Sequence, residues 1–154
     1  MTVFPDFSLQ DEDGYLRHTS EFHPALFVWL RQLGCRYARA QIQQLRKLDI
    51  LDPVKLVLIS PCPPPQARLF RRQHLQRLPC ALLSDTQFKT YEQNRLKKPP
   101  FWSFLDKTLA DPLQNGKIIL TRPSGQIHFR YLAYKASDRP DTGEFLKTLR
   151  RLRL

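Results

Sequence analysis

A chain of 154 residues with 42 % hydrophobic and 25 % charged content is long enough to bury a proper core, and a single domain over residues 1–154 is expected. The balance is ordinary for a soluble globular protein, and no run approaches the roughly 18 apolar residues of a membrane span. The formal net charge of +11 stands out; it points to nucleic acid, an acidic protein partner or an anionic surface as readily as to a basic proteome or a merely solubilising surface.

Three cysteines, Cys35, Cys62 and Cys80, are an odd number at wide spacings, which argues against a secreted disulfide framework. The opening MTVFPDFSLQ shows no basic leader followed by an apolar stretch, so a cytoplasmic location is expected. In a reducing compartment thiols are more often redox-active or inert than structural.

Taken in order, Phe4–Leu9 reads as a short strand. Asp11-Glu12-Asp13-Gly14 reads as an acidic turn, and Tyr15-Leu16 begins a second strand, since Asp-Gly between apolar positions signals a hairpin. Pro24 fits the start of the next strand. Ala25–Leu30 (ALFVWL) is a short apolar run that reads as a strand buried on both faces. From Ala38 the spacing changes to Ala38, Ile42, Leu45 and Leu48, one stripe of an amphipathic helix. Gly34 and Cys35 sit between the two periods. Cys35 is therefore expected at the mouth of a strand-to-helix turn, where free N–H groups and the positive end of the helix dipole favour thiolate. Arg31, Arg36 and Arg39 lie close in sequence and push the same way. A small buried hydrophobe is the other reading of such a cysteine.

Asp52-Pro53 marks a break, and Lys55–Ser60 (KLVLIS) is a second buried strand. Strand, helix, strand across Phe27–Ile59 makes a βαβ unit with parallel strands. Ser60-Pro61-Cys62-Pro63-Pro64-Pro65 is a proline-rich turn, expected to leave little helix before Gln66. A helix from Gln66 to about Leu78 follows, with Ala67, Phe70, His74 and Leu78 near one face and Arg68, Arg71, Arg72 and Arg77 around the remainder. Leu78–Asp85 holds a short strand. Helices are expected over Thr86–Leu96, Phe101–Leu109 and Asp141–Leu152, and a hairpin joins Lys117–Thr121 to Gln126–Tyr131 across Pro123-Ser124-Gly125. The order is βββαβαβααββα.

The segment LGCRYARAQIQQL resembles the thiol-site segment of peroxiredoxin-like proteins of the alkyl hydroperoxide reductase/thiol-specific antioxidant group. The opening Pro5-Asp6-Phe7-x-Leu9, its acidic turn and Gly14 resemble that family's N-terminus, and Ser60-Pro61 and Ser84-Asp85 follow in the family's order. The resemblance implies an α/β, thioredoxin-like three-layer sandwich with a mixed central sheet and an N-terminal β-hairpin. It also implies a cysteine nucleophile at Cys35, with Arg36 or Arg39 as candidate positive charges beside it. The chain departs from the family's pattern at Gln32, Leu33 and Ala38, where members often carry Thr, Pro and, in some, a second cysteine. The family's Arg before the strand at Lys117 is also absent.

A thiolate at Cys35 would attack a peroxide oxygen or a disulfide sulfur, and a sulfenic acid would then condense with a second thiol. Cys62, expected at the carboxyl end of the neighbouring strand, is the preferred resolving thiol within the chain; Cys80, expected at the opposite end of its own strand, reads as packing. An outside thiol is the alternative, and a thioredoxin-type reductant is the implied electron donor. His18, His23, His74 and His128 are scattered without metal-ligand spacing, and there is no Cys-x-x-Cys or glycine-rich phosphate loop, so neither metal nor cofactor is expected. Arg68–Arg77 and Lys147–Arg153 lack the aromatic interleaving of single-strand binders, so specific nucleic-acid readout is not expected. A thiol-dependent oxidoreductase acting on peroxides is the first expectation. The second is a catalytically degenerate thioredoxin-like binding module whose basic surface docks an acidic partner.

Overall fold

A computed structural model of the chain describes residues 3–30, 33, 36–47, 54–87, 90 and 117–132. Asp11 decides where the chain first turns. Its carboxylate accepts N–H bonds from Asp13 at 2.9 Å and Tyr15 at 3.0 Å, and Arg17 Nε donates to it at 3.1 Å. Gly14 adopts φ +86 within that loop, a conformation that costs a residue without Cβ little. Strand β1 (Ser8–Asp11) then pairs antiparallel with β2 (Leu16–His18). The expected hairpin is present, but its first strand is Ser8–Asp11 rather than Phe4–Leu9. Asp11 ends the strand instead of opening the turn, and Phe4 is drawn into the core, where its ring stacks 4.4 Å from that of Phe27.

After a 3₁₀ turn at Thr19–Phe22, β3 (Ala25–Trp29) is buried along its whole length, as its unbroken apolar run predicts. The first helix, α1 (Arg36–Lys47), buries Ala38, Ile42 and Leu45, three of the predicted stripe; Leu48 lies outside the described residues. β4 (Lys55–Ser60) runs parallel to β3 with Val57 opposite Phe27. The second helix, α2 (Pro64–His74), starts two residues earlier than the sequence suggested and stops at His74 rather than near Leu78. Pro64 and Pro65 occupy the first helical turn, where their missing N–H groups would have had no partner and their fixed φ already suits the helix. At the far end Arg77 turns the chain with φ +64, and Arg46 of α1 reaches across to the carbonyls of His74 and Gln76.

β5 (Ala81–Ser84) is parallel to β4. β6 (Lys117–Thr121) and β7 (Ile127–Leu132) form the expected antiparallel hairpin, its turn closed by the Gly125 N–H bonding Arg122 O at 2.8 Å. The helices expected over Thr86–Leu96, Phe101–Leu109 and Asp141–Leu152 lie outside the described residues, save for Thr86, Gln87 and Thr90.

These strands form one mixed sheet in the order β2-β1-β5-β4-β3-β6-β7. The N-terminal hairpin extends it, because β1 pairs antiparallel with β5. Side chains alternate across the central strands. Leu26, Val28, Leu56, Leu58 and Leu82 meet α1 and α2 on one face. Phe27, Trp29, Val57, Ile59 and Leu83 meet Phe4 and Leu9 on the other. Both faces of β3 and β4 are thus dry, the condition parallel strands require. Among the described residues no helix is long and apolar enough to cross a membrane.

Candidate functional site

Because β3, β4 and β5 are parallel, their carboxyl ends share one edge, the edge at which open α/β sheets place their crevices. Trp29 stands opposite Ile59, and Ser60 opposite Ser84. Beyond these pairs lie Leu33, Cys62 and Asp85. Leu33 is buried and packs in the same apolar cluster as α1 and α2, with Cys62 against that cluster. The Leu33 backbone N–H faces the Cys62 thiol. Burial pushes the Cys62 thiol up from its ordinary value, and the Leu33 N–H only partly offsets this. The Cys62 N–H in turn faces Ser60 Oγ at 3.4 Å.

Cys35 lies outside the described residues. In the sequence it falls two residues after Leu33 and one before Arg36, where α1 begins. The Arg36 side chain is outside them as well, and Arg39 is exposed on α1. Of the four residues singled out in the sequence, then, only Cys62 and Arg39 have described side chains; Cys62 sits beside the backbone of the segment that leads to Cys35.

Cys80 is elsewhere. Ala81 pairs with Val57, so Cys80 lies at the amino end of β5, about 13 Å along the strands from the level of Ser60. Burial raises its thiol too, against the lowering effects of Arg71 and Arg46. Arg71 Nη2 holds the Cys80 carbonyl at 2.9 Å, and Arg71 Nε pairs with Glu12 at 2.5 Å. This cluster ties α2 and β5 to the N-terminal hairpin.

A buried polar relay at the carboxyl edge went unread in the sequence. Asp85 is 2 % exposed, and its carboxylate accepts the Thr90 N–H at 2.8 Å and the Thr90 hydroxyl at 2.5 Å. Thr90 Oγ1 in turn accepts the Trp29 indole N–H at 3.0 Å. The Asp85 N–H donates to Ser60 O at 2.8 Å, which locks the end of β5 to the end of β4. The Ser-Asp step was visible in the sequence, but nothing local tied it to a tryptophan so many residues upstream. Among the described residues, no group of three or more His, Cys, Asp or Glu side chains is placed to hold a metal ion.

No protein-family model matches the sequence, and no curated protein matches it. Solved structures do. A thiol peroxidase from Chromobacterium violaceum is 21 % identical, with a TM-score of 0.79 over 99 % of this chain and 87 % of its own. Peroxidoxin BcpB from Mycobacterium tuberculosis is 17 % identical, with a TM-score of 0.75 over 99 % of this chain and 97 % of its own. A SCO1/SenC family lipoprotein from Bacillus anthracis is 17 % identical, with a TM-score of 0.63 over 99 % of this chain and 95 % of its own. At these identities the likeness is one of fold, and it agrees with the mixed sheet, its parallel centre and its antiparallel flanks. The chain has a thioredoxin-like α/β fold, the architecture it shares with thiol peroxidases and peroxiredoxins.

Proposed function

We propose that this protein is a thiol-dependent oxidoreductase that reduces peroxides, with Cys35 as nucleophile and Cys62 as resolving thiol. The observation that carries the reading is that Cys62 packs against the cluster holding Leu33, with the Leu33 backbone N–H facing its thiol. It sets a second cysteine against the backbone two residues ahead of Cys35, a stretch that spans at most about 7 Å. A disulfide needs Cα atoms within about 7 Å, so modest loosening ahead of α1 suffices. The pKa directions support the same division of labour. Burial keeps Cys62 and Cys80 as thiols, which are poor first nucleophiles, and leaves Cys35 for that role.

In the first step the Cys35 thiolate attacks one peroxide oxygen, the O–O bond breaks, and the other oxygen leaves as an alcohol or water after taking up a proton. Cys35 becomes a sulfenic acid. The Cys62 sulfur then attacks the Cys35 sulfur, the S–O bond breaks, and the hydroxyl leaves as water with the proton of Cys62. An external dithiol of the thioredoxin type returns both cysteines to thiols by exchange. Arg39, with Arg36 ahead of it, supplies positive charge on α1 that favours thiolate and the negative charge developing on the departing oxygen.

Intact-mass measurement after stoichiometric peroxide tests this. The expected product is a chain lighter by two hydrogen atoms in the wild type and no such change in Cys35→Ser. An unmodified Cys35 at peroxide levels that spare a small thiol overturns the reading.

A further inference from the structure

From Pro53 to Ser84, and again along α1, the chain carries no Asp or Glu. α1 and α2 pack on the same face of the sheet, and every charged side chain that these two helices carry is cationic. The cations differ in how they are occupied. Arg46 reaches the carbonyls at the end of α2, Arg71 pairs with Glu12, and Arg68 Nε donates to Glu12 O. Arg72 and Arg77 are exposed, and neither forms an ion pair among the described residues. They line an open depression of about 580 Å³ at the C-terminal end of α2, together with the apolar Leu75, Leu78 and Pro79. One turn back along α2, Leu69 is 53 % exposed, a large apolar side chain flanked by Arg68 and Arg72.

We propose that the exposed face of α2 and the depression at its end form a docking surface for an acidic, leucine-bearing segment of a partner protein. Guanidinium groups take carboxylates through two parallel N–H bonds, and Arg72 and Arg77 supply that beside an apolar lining. Leu69 and that lining supply apolar area, which a pure polyanion does not use. Single-stranded nucleic acid is disfavoured by the same surface. Among the described residues of α2 the Phe70 ring is buried and the His74 ring packs against it at 4.9 Å, which leaves a base little to stack on. The surface stands independently of the proposed thiol chemistry, because none of its residues is at the carboxyl edge of the sheet.

Fluorescence anisotropy of the full chain with three labelled probes tests it: a peptide of glutamates interspersed with leucines, the same peptide with glutamine for glutamate, and an oligothymidylate of equal charge. The glutamate peptide is expected to bind, and to weaken as salt rises to physiological strength. Arg72→Glu with Arg77→Glu should weaken it by about tenfold or more, as removal of two charge-assisted contacts implies. The milder pair Arg72→Gln with Arg77→Asn should weaken it less while keeping the fold, since Asn tolerates the positive φ of residue 77. Leu69→Ser should weaken it, and Arg122→Glu, in the distant β6–β7 turn, should not. Equal losses from Arg122→Glu and the α2 variants overturn the proposal, as do tighter binding of the oligothymidylate or equal binding of the glutamine peptide. Cys35→Ser should bind the peptide as the wild type does, so failure of the peroxide reading leaves this result intact.

Discussion

The backbone N–H of Leu33 faces the thiol of Cys62, bringing the loop after β3 beside the loop after β4 at the carboxyl edge of two parallel strands. Burial holds that thiol protonated, and the single N–H is the group that moderates it. Cys62 is thus a buried thiol beside the backbone of Leu33, two residues ahead of Cys35 in the sequence.

Replacing Cys62 by Ala should therefore separate the two proposed steps. Peroxide consumption in the first turnover is expected to proceed as in the wild type, while the intramolecular disulfide disappears and sulfinic acid accumulates at Cys35 with excess oxidant. Peptide mapping reads both products. A disulfide between Cys35 and Cys80 in this variant would contradict the placement of Cys80 at the far end of β5.

In a Cys35→Ser chain the two remaining thiols should alkylate slowly. Burial raises both above the ordinary thiol value, so iodoacetamide labelling at pH 7 is expected to lag a small thiol by about tenfold or more. The rate should climb through the alkaline range. Labelling at the speed of a free thiol would show that neither site is buried in solution.

Thr90→Val removes the hydroxyl that joins Trp29 to Asp85 while keeping the side chain's shape. Two buried hydrogen bonds go, one of them to a carboxylate, and a loss of about 2–4 kcal/mol is expected. The shift in urea midpoint measures it, with the tryptophan emission spectrum reporting the change at Trp29. Phe4→Ala should cost about 3–5 kcal/mol, because Phe4 is buried and stacked on Phe27.

Acidification should weaken the fold in two stages. Burial holds the folded-state pKa of His23 below 6.5, with the Asp6 charge opposing only in part. Between that folded value and 6.5 the unfolded chain binds more protons than the folded one, so stability falls as pH falls through this window and then levels. Asp6 and Asp11 are held below 3.8: Asp6 chiefly by the Ser20 N–H, and Asp11 by Arg17 and the Tyr15 and Asp13 N–H groups, which outweigh its burial. Their contribution is present above 3.8 and is lost as pH drops through their folded values. Urea unfolding across pH should show the first stage in the wild type and not in His23→Gln.

Elements whose residues repeat locally were legible in the chain's own order. An unbroken apolar run marked β3 and β4 as buried strands, the stripe Ala38, Ile42, Leu45 marked α1, and Asp13-Gly14 and Ser124-Gly125 marked the two hairpin turns. Period and turn chemistry act between near neighbours, and so they are written in consecutive residues. The tertiary structure alone decided the rest. It drew Phe4 out of the expected strand to stack on Phe27, and it joined β1 to β5. It ended α2 at His74, where Arg46 from another helix reaches the last carbonyls. It also placed Leu33 against Cys62 and Trp29 against Thr90. Each of these contacts joins residues far apart in the chain, and its partner is chosen by strand register and packing, which no local pattern encodes.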